Sequence, residues 1–417
     1  MSKKIAVVVQ RYGDEVNGGA EVHAKMLAEK LSLKYIVEIL TTTSRDYVDW
    51  DNYYPVGHEV LNGITVRRFP VKHVSKRKYR RSRRAIFGQK KYRFLKAIGL
   101  FSLLEDKFQI SRPTRLDVKR WLIAQGPYCP QILKYIKDNR DTYDVFIFFT
   151  YLYYPTALGM QLVGSKSIFI PTAHDEDILY TRAYEDIFSI PSFIMYNTVA
   201  EKKLVERIFK TRQANTDIAG VGIDLISDFA DIKKVRSQFG IEGDFFVYIG
   251  RIDPVKGCTE LLSFFQRYIQ DRKDVTLVLV GKNFMKITSN DRIITTGFVD
   301  DHIKNALLKE SIGLIVPSEY ESLSLVALEA MSEGKIVIVN GKCEVLKNHI
   351  DHANSGFYYT DYASFRACLD QTILLPVNDQ EEIGSRAQSY VKEHYRWPII
   401  LEKFDKAITL ICRNFFL

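Results

Sequence analysis

"FFVYIGRIDPVKGCTELLSFFQRYIQDRKDVTLVLVG" spans Phe245–Gly281 and holds one strand–helix–strand unit. The apolar runs Phe245–Gly250 and Val275–Gly281 do not alternate with polar residues, which is typical of parallel strands buried on both faces. Between them, Thr259–Gln270 is predicted to be a helix. The stretch therefore predicts a parallel βαβ unit, the building block of a doubly wound α/β domain.

The same rhythm extends in both directions along the chain. Strands are predicted downstream at Ile312–Pro317 and Lys335–Val339, and helices upstream at Ala20–Leu31 and Val199–Ile208. The upstream strand candidates are Lys3–Gln10, Tyr35–Leu40, Ile64–Phe69, Asp144–Phe149, Ser167–Pro171 and Phe193–Tyr196. Because 417 residues exceed what one core usually holds, the two series predict two Rossmann-like domains.

The domain boundaries follow from composition. We expect an N-terminal domain over residues 1–222 with a basic insert at 72–96, and a C-terminal domain over residues 223–395. A hinge is expected in Thr216–Ile223, where Gly220 and Gly222 follow a strand-like run. Residues 396–417 are predicted to be helical, as a helix pair that begins after Trp397-Pro398 and packs back on the N-terminal domain.

Composition narrows the class of protein. No run of 18 apolar residues is present, so no transmembrane helix is predicted. The start "MSKKIAVVVQRYG" becomes polar too soon for a signal peptide. The five cysteines are scattered and lack CxxC spacing, which favours a reducing cytoplasm over a disulfide framework or a zinc site.

The net charge of +9 comes from one segment. Residues 72–96, "KHVSKRKYRRSRRAIFGQKKYRFLK", contain 12 Lys and Arg and no acid, so the rest of the chain is net acidic. A basic helix with aromatic residues is typical of anionic membrane surfaces or lipid-linked acceptors. A solvated loop is the plain alternative. Nucleic acid is not favoured, because no nucleic-acid-binding fold signature accompanies the segment. The candidate contact residues are Lys76, Arg77, Lys78, Arg80, Arg81, Arg83 and Arg84.

Three motifs stand where predicted strands end. Gly18-Gly19 opens the first helix, and paired glycines at a helix N-terminus let backbone N–H groups approach an anion. In "GRIDPVKG", Arg251 and Lys256 follow a strand at the edge where open α/β sheets bind ligands, and both suit phosphate. An ordinary turn and two surface cations are the plain alternatives.

The third motif, "EYESLSLVALEA", places Glu321 and Glu329 eight residues apart, separated only by Ser, Leu, Val and Ala. A helix is predicted to begin near Ser322 or Ser324, good N-cap residues, and to end at Gly334. Glu321 then lies at the helix mouth, and Glu329 about two turns inside. A capping acid and a surface acid are the plain alternatives. Buried carboxylates need partners, so this pair indicates a ligand site.

Taken together, these motifs resemble the retaining glycosyltransferases of family 4, which have the GT-B fold of two doubly wound Rossmann-like domains facing across a cleft. The E-x7-E signature resembles Glu321 and Glu329, and the GR…KG motif resembles Arg251 and Lys256. "VLVGKN", "TGFVDD" and "VPSEYESLSLVALEAMSEGKIVIV" are similar to the family in order and spacing, and "VGID" at Val221–Asp224 is similar to its hinge motif. The resemblance covers most of the chain and is weakest between Val71 and Asn139.

By that resemblance, Arg251 and Lys256 bind the diphosphate of a nucleotide sugar, Glu329 its ribose and Glu321 its sugar hydroxyls. His174 in "PTAHDED" matches an active-site histidine; on the residues alone it reads as a hydrogen-bonded residue at a strand end. The remaining donor-site residues implied are Gly18, Gly19, Gly250, Gly281, Phe298, Val299, Ser324, Leu325 and Val326.

The resemblance also implies the chemistry. A sugar passes from a UDP- or GDP-linked donor to a hydroxyl of a saccharide or lipid-linked saccharide, with retention of configuration. No Asp-x-Asp stands at the donor signature, so no metal or other cofactor is expected to be required. The chain departs from the family at Ser322-Leu323-Ser324, where Gly-Phe-Gly is usual. Serine tolerates close phosphate approach less freely than glycine, although its hydroxyl could donate to the phosphate.

Several functions therefore remain open. The first is a cytoplasmic transferase, peripheral on the inner face of the membrane, that builds a cell-surface glycan such as lipopolysaccharide or capsule. The second is an epimerase or hydrolase of nucleotide sugars on the same fold. The third is a non-catalytic protein that binds polyanions.

Overall fold

The computed structural model describes residues 2–16, 18–47, 49–87, 114–209, 214–272, 274–288 and 290–413. The chain divides into two compact units. The N-terminal unit consists of Met1–Gly220 together with Leu401–Leu417. The C-terminal unit is Val221–Ile400.

The described part of the N-terminal unit contains an eight-stranded sheet. Its spatial order is β3-β4-β2-β1-β5-β6-β7-β8, and every neighbouring pair is parallel except β3 and β4. The strands are β1 (Lys4–Val8), β2 (Ile36–Thr42), β3 (Gly57–Leu61), β4 (Ile64–Phe69), β5 (Val145–Phe149), β6 (Ser167–Ile170), β7 (Phe193–Tyr196) and β8 (Asn215–Ile218). Strand β1 lies between β2 and β5, with Val7 opposite Ile39 and Ile147, and its apolar side chains are fully buried.

Helices connect these strands. They are α1 (Gly19–Ser32), α2 (Lys76–Phe87), α3 (Arg115–Gln125), α4 (Pro130–Asn139), α5 (Tyr154–Val163) and α6 (Val199–Ile208). The largest buried side chain of this layer is Trp121 on α3, whose Nε1 donates to the hydroxyl of Tyr184 at 2.9 Å. The segment predicted to be a basic helix is helical over Lys76–Phe87, and its predicted continuation at 97–104 lies outside the described residues.

The C-terminal unit contains a parallel six-stranded sheet with the order β11-β10-β9-β12-β13-β14. The strands are β9 (Asp244–Ile249), β10 (Val275–Val280), β11 (Ile293–Gly297), β12 (Gly313–Val316), β13 (Val337–Asn340) and β14 (Phe357–Tyr359). Chain order runs outward in one direction from β9 and in the other from β12. The carboxyl ends of β9 and β12 therefore flank a topological switch point, where open α/β sheets bind ligands.

The helices of this unit are α7 (Ile232–Phe239), α8 (Cys258–Asp271), α9 (Asp301–Glu310), α10 (Leu325–Ser332), α11 (Glu344–Ala353), α12 (Tyr362–Leu374) and α13 (Val377–His394). The last described helix, α14 (Trp397–Arg413), begins in this unit, and its residues from Leu401 onward belong to the N-terminal unit. The prediction of a helix pair at the C-terminus is wrong for the described residues, because α14 is one continuous helix. Pro398 lies in its first turn, where a missing N–H costs nothing.

Side chains explain the glycine before the C-terminal sheet. A Cβ on Gly222 would lie 2.3 Å from the ring of Trp397, so a larger residue has no room there. The Trp397 Nε1 donates to Asp224 at 3.1 Å.

In the part of the chain that the structure describes, no helix is both long enough and apolar enough to cross a membrane.

Candidate functional site

Two glycines shape the floor of the switch point in the C-terminal unit. Gly250 and Gly281 follow β9 and β10 with φ of +149° and +139°. A Cβ on Gly281 would lie 2.0 Å from the carbonyl oxygen of Gly250, so the two loops approach more closely than any other residue allows. The Gly281 N–H donates to the carbonyl of Gly297 at the end of β11, at 2.9 Å.

The cations Arg251 and Lys256 lie in the loop after β9, and Asp253 of the same loop contacts both residues. Its carboxylate accepts the backbone N–H of Lys256 at 2.8 Å, which caps the short 3-10 turn Pro254–Lys256, and lies 3.3 Å from a guanidinium nitrogen of Arg251. The Tyr248 hydroxyl donates to the Arg251 carbonyl at 2.6 Å. Sequence reasoning missed Asp253, although Asp before Pro is a recognisable signal for a helical first turn.

Lys256 and Glu321 are brought together from loops 65 residues apart. The Lys256 Nζ donates to Glu321 Oε1 at 2.7 Å. The backbone after β12 packs directly on the Lys256 loop, since a Cβ on Gly257 would lie 2.1 Å from the Pro317 carbonyl oxygen. The ion pair therefore rests on a fixed contact between the loops that follow β9 and β12.

Ser324 occupies a conformation that favours glycine. It precedes α10 with φ of +67°, and its side chain makes no capping hydrogen bond. A non-glycine residue in this region costs about 1–2 kcal/mol. The hydroxyl oxygen is buried and has no hydrogen-bond partner in the described part of the chain. The helix begins at Leu325 and is followed by Gly334, close to the predicted bounds.

A buried histidine holds the loop before Ser324. The His349 Nε2 lies 2.8 Å from the Leu323 carbonyl oxygen, and its Nδ1 lies 3.0 Å from the Tyr390 hydroxyl. Because a carbonyl only accepts, Nε2 carries the proton and Nδ1 accepts from Tyr390. Burial lowers the pKa of His349 to about 4, so the ring is neutral at pH 7.

Glu329 is paired with Lys304 of α9, at 3.5 Å between Oε2 and Nζ. It is the fifth residue of α10, which places it about one turn inside the helix and corrects the expected two turns. Partial burial raises the pKa of Glu329, and Lys304 opposes that rise. Burial lowers the pKa of Lys304, but Glu329 and Asp301 outweigh it and raise the pKa overall.

The other predicted residues of this unit surround the same edge. Phe298 follows β11 and is exposed, with Val299 next to it. Leu325 and Val326 form the first turn of α10 and are half-buried. The loops after four neighbouring strands thus carry the predicted donor residues of the C-terminal unit.

In the N-terminal unit, Gly18 precedes α1, and the reason for glycine is the side chain of Glu21. A Cβ on Gly18 would lie 1.9 Å from Glu21 Oε2. Glu21 is buried and forms a two-nitrogen ion pair with Arg11, whose Nε lies 2.9 Å from Glu21 Oε1. Gly19, the first residue of α1, has open space where a Cβ would be. Sequence reasoning missed the Arg11–Glu21 pair.

His174 follows β6, in a loop held by a buried glutamate. Its Nδ1 lies 3.4 Å from Glu176 Oε1. One carboxylate oxygen of Glu201 accepts the Ala173 N–H at 2.5 Å, and the other accepts the Asn197 N–H at 2.6 Å. Burial raises the pKa of Glu201 to about 8, and these backbone donors oppose the rise. Sequence reasoning missed Glu201.

The seven basic candidates all lie on α2 and are exposed, whereas Ser82 and Ile86 are its buried residues. The structure therefore groups the predicted residues into three sets. Arg251 and Lys256 lie in the loop after β9, Lys256 contacts Glu321 of the loop after β12, and Glu329 lies in the helix α10 that follows that second loop. The glycine pair and His174 follow strands of the N-terminal unit, and the basic set lies on α2.

Comparisons with known proteins agree with this geometry. Residues 231–390 match the family model for glycosyl transferases group 1. An uncharacterized glycosyltransferase of Methanocaldococcus jannaschii is 24% identical over 96% of this chain and 96% of its own length. The lipopolysaccharide 1,2-N-acetylglucosaminetransferase of Salmonella typhimurium is 27% identical over 42% of this chain and 50% of its own length.

Solved structures share the fold across nearly the whole chain. Sucrose-phosphate synthase from Thermosynechococcus elongatus superposes with a TM-score of 0.69 at 16% identity, covering 99% of this chain and 100% of its own. The Anabaena protein HepE, in complex with UDP-glucose, gives 0.67 at 15% identity, covering 97% and 99%. Residues 231–390 thus match the model for glycosyl transferases group 1, and the fold of the chain is GT-B, as the sequence predicted.

Proposed function

We propose that this chain, whose residues 231–390 match the family model for glycosyl transferases group 1, is a retaining glycosyltransferase that uses a nucleoside-diphosphate sugar. One observation carries the proposal. Lys256 and Glu321 are in contact across the loops that follow β9 and β12 at the switch point of the C-terminal sheet, with Arg251 in the first of these loops and Glu329 one turn into the helix after the second. The UDP-glucose bound by the structurally similar HepE supports a nucleotide-sugar donor. Whether the base here is uracil or guanine is left to experiment.

In this proposal, the diphosphate lies against Arg251, Lys256 and the start of α10. The guanidinium and ammonium groups stabilise the negative charge that grows on the leaving diphosphate. The helix N-terminus adds backbone N–H groups and a favourable dipole. The buried Ser324 hydroxyl donates to a phosphate oxygen and so gains a partner. These fixed charges take the place that a metal ion has in other transferases, so we propose that none is required.

The two glutamates bind the hydroxyl-bearing ends of the donor. Glu329 accepts from the ribose hydroxyls, and Lys304 keeps its carboxylate ionised and oriented. Glu321 accepts from hydroxyls of the transferred sugar, and its pair with Lys256 links sugar binding to diphosphate binding. The base lies against Gly281 and the exposed Phe298. Each group in the site then has a partner on the donor.

The reaction exchanges one bond at the anomeric carbon. The bond from that carbon to the phosphate oxygen breaks, and a bond to the acceptor oxygen forms on the same face. The acceptor proton passes to the leaving phosphate oxygen, so no protein base is needed. His174, whose loop is held by the Glu201 network, is proposed to orient the transferred sugar.

The acceptor is proposed to be a saccharide of a cell-surface glycan. The similarity to the Salmonella lipopolysaccharide transferase supports this assignment over other glycan pathways. An epimerase or hydrolase would use the same donor site without an acceptor. The reaction products separate these functions, because only a transferase yields a new glycoside.

Donor binding is the first test. Thermal shift and calorimetry with UDP, GDP, ADP and their glucose conjugates are expected to select one base. Arg251→Gln and Glu329→Gln are expected to weaken that binding roughly tenfold or more, since each removes a charge-assisted hydrogen bond. Glu333→Gln, just past the end of α10, is the matched control. The donor-site assignment is wrong if no nucleotide stabilises the chain, or if all three variants behave alike.

A further inference from the structure

A cavity of about 910 Å³ lies beside α2 in the N-terminal unit. Its other walls are formed by residues 71–74 and 123–126 and by Tyr47, Asp49, Trp50, Tyr128 and Asp177. This volume is in the range of small-molecule sites, which run from roughly 300 to 1,000 Å³. The cavity is thus large enough for a mono- or disaccharide that carries a phosphate.

The cavity sorts the basic residues of α2 into two sets. The positions of α2 that line it recur at intervals of three and four, which is one face of a helix. They are Lys76, Tyr79, Arg80, Arg83, Arg84 and Phe87. Arg77, Lys78 and Arg81 lie outside the lining, although they are equally basic and exposed. Lys72 and His73 of the 71–74 segment also line the cavity, so the positive charge of the α2 wall is extended by Lys72 on another wall.

Aromatic side chains also line the cavity, and their neighbours fix their orientation. Buried Trp121 packs under Tyr79 and Phe87, with ring centroids 5.7 and 5.8 Å away. The Trp50 Nε1 donates to the Gln125 carbonyl at 3.2 Å, and a Cβ on Gly126 would lie 2.6 Å from that nitrogen. Aromatic rings with fixed orientation suit the apolar faces of sugar rings.

Two carboxylates also line the cavity. Asp177 stands three residues after His174 in the loop that follows β6, and Asp49 directly precedes Trp50. Carboxylates accept hydrogen bonds from sugar hydroxyls, so both fit the saccharide part of a ligand.

We propose that this cavity binds the acceptor, and that the acceptor is a phosphorylated saccharide. Arg80, Arg83 and Arg84 bind its phosphate, for which the planar guanidinium fork is well matched. Trp50 and Tyr79 hold its sugar ring. Only the role of this saccharide as the acceptor rests on the proposed function. Its binding to the cavity is measured without a donor and without turnover. A soluble sugar phosphate and a lipid-linked sugar diphosphate present the same chemistry to the site.

The test uses the intrinsic fluorescence of Trp50 in the full chain. The probes are N-acetylglucosamine 1-phosphate, free N-acetylglucosamine, and N-acetylglucosamine linked through a diphosphate to farnesol in detergent micelles. The phosphorylated probe is expected to change the emission at concentrations at least about tenfold below those of the free sugar. Trp50→Phe should abolish the change. Preference for the farnesyl form would assign the acceptor to a lipid-linked pool, and equal binding to a soluble one.

Two triple variants with equal loss of charge decide between a built site and general basicity. The triple variant Arg80→Gln, Arg83→Gln and Arg84→Gln is expected to bind the phosphorylated probe at least about tenfold more weakly than the native chain. The control triple variant Arg77→Gln, Lys78→Gln and Arg81→Gln is expected to keep an affinity within about twofold of the native value. Circular dichroism melting checks folding, and single Arg83→Gln replaces the first triple if that variant melts early.

Two results would overturn the proposal. Equal weakening by both triples would mean that charge alone attracts phosphate, and equal affinity for free and phosphorylated sugar would mean that no phosphate is recognised. Binding to vesicles of phosphatidylglycerol and phosphatidylcholine is measured as well. If the chain binds these vesicles but no phosphorylated sugar, and both triple variants reduce vesicle binding equally, the basic residues form a membrane-binding surface instead. Loss of nucleotide binding in the donor test would remove the proposed function and leave this binding result standing.

Discussion

The Nζ atom of Lys304 lies 3.5 Å from Oε2 of Glu329, between helices α9 and α10, which strand β12 separates along the chain. Glu329 stands among Leu, Val and Ala; burial raises the pKa of its carboxyl group, and Lys304 opposes that rise. In the same stretch, Glu321 is paired with Lys256 at 2.7 Å. Both carboxylates are thus held by a lysine from another element, which leaves their remaining lone pairs for hydroxyl groups.

Lys304→Met should weaken donor binding roughly tenfold at pH 7, because a half-buried carboxylate loses its counter-charge. It should also move the acid limit of binding to higher pH. Burial already raises the pKa of Glu329, and without Lys304 it rises further, so the ionised form that accepts ribose hydroxyls is lost earlier on acidification. Calorimetric titration of the selected nucleotide from pH 5 to 8 measures both effects. Lys309→Met on the same helix is the control, and an unchanged pH profile in Lys304→Met would contradict the pairing.

Ser324→Gly and Ser324→Ala should separate backbone strain from hydrogen bonding. Glycine relieves the left-handed conformation and is expected to raise stability by up to about 1 kcal/mol, whereas alanine keeps the strain. Both remove the hydroxyl, so both should weaken diphosphate binding by roughly fivefold or more. Urea denaturation and nucleotide titration provide the two readouts. Unchanged nucleotide affinity in both variants would exclude a hydroxyl contact with phosphate.

The stability of the C-terminal unit should fall on acidification. His349 has a folded-state pKa of about 4, below its unfolded value of about 6.5. Between those values the unfolded state binds more protons than the folded state. The contribution of His349 to the free energy of unfolding is therefore fully present above pH 6.5 and decreases as the pH falls towards 4. The loss attributable to this group is on the order of 3 kcal/mol. Hydrogen exchange of α10 between pH 4.5 and 7.5 measures it, and His349→Gln, which keeps a donor for Leu323, should flatten the dependence.

Glu201→Gln should slow turnover without changing donor affinity. Both carboxylate oxygens accept backbone N–H groups, and an amide would turn one acceptor into a donor facing a donor. The expected cost is about 1–3 kcal/mol of stability, with a displaced Ala173–His174 turn. Steady-state kinetics compared with nucleotide binding tests this, with Glu206→Gln on the exposed side of α6 as the control. Because burial raises the pKa of Glu201 to about 8, the variant is compared at about pH 9, where the carboxylate is ionised. A Glu201→Gln variant that is stable and fully active there would contradict the role of these hydrogen bonds.

Sequence patterns predicted the central strands of both sheets but missed the edge strands β3, β11 and β14. Buried parallel strands are continuous apolar runs, and such runs identified β1, β5 and β9 within one or two residues. Strand β3 has the sequence "GHEVL" and lies exposed at the edge of its sheet. Edge strands carry polar residues and form only because a neighbour offers hydrogen bonds, so their own sequence gives little signal.

The candidate donor site divides in the same way. Arg251, Lys256, Glu321 and Glu329 could be found because each follows or lies near a predicted strand end. Their supports Lys304 and His349, and the buried Glu201 of the N-terminal unit, could not be found. Each comes from a different element and meets its partner only after the sheet has formed, so spacing along the chain carries no information about the contact.

In the basic segment, the sequence determined where the positive charge lies along the chain, and only the tertiary structure decided which of these charges line the cavity. Composition alone established a concentrated positive charge at residues 72–96 and a helical period within it. Which of those charges meet inside a cavity was decided by packing. Ser82 and Ile86 are buried in α2, and their burial sets the rotation of the helix. That rotation places Arg80, Arg83 and Arg84 in the cavity wall and leaves Arg77, Lys78 and Arg81 outside it, because the faces of a helix differ only in what they are packed against.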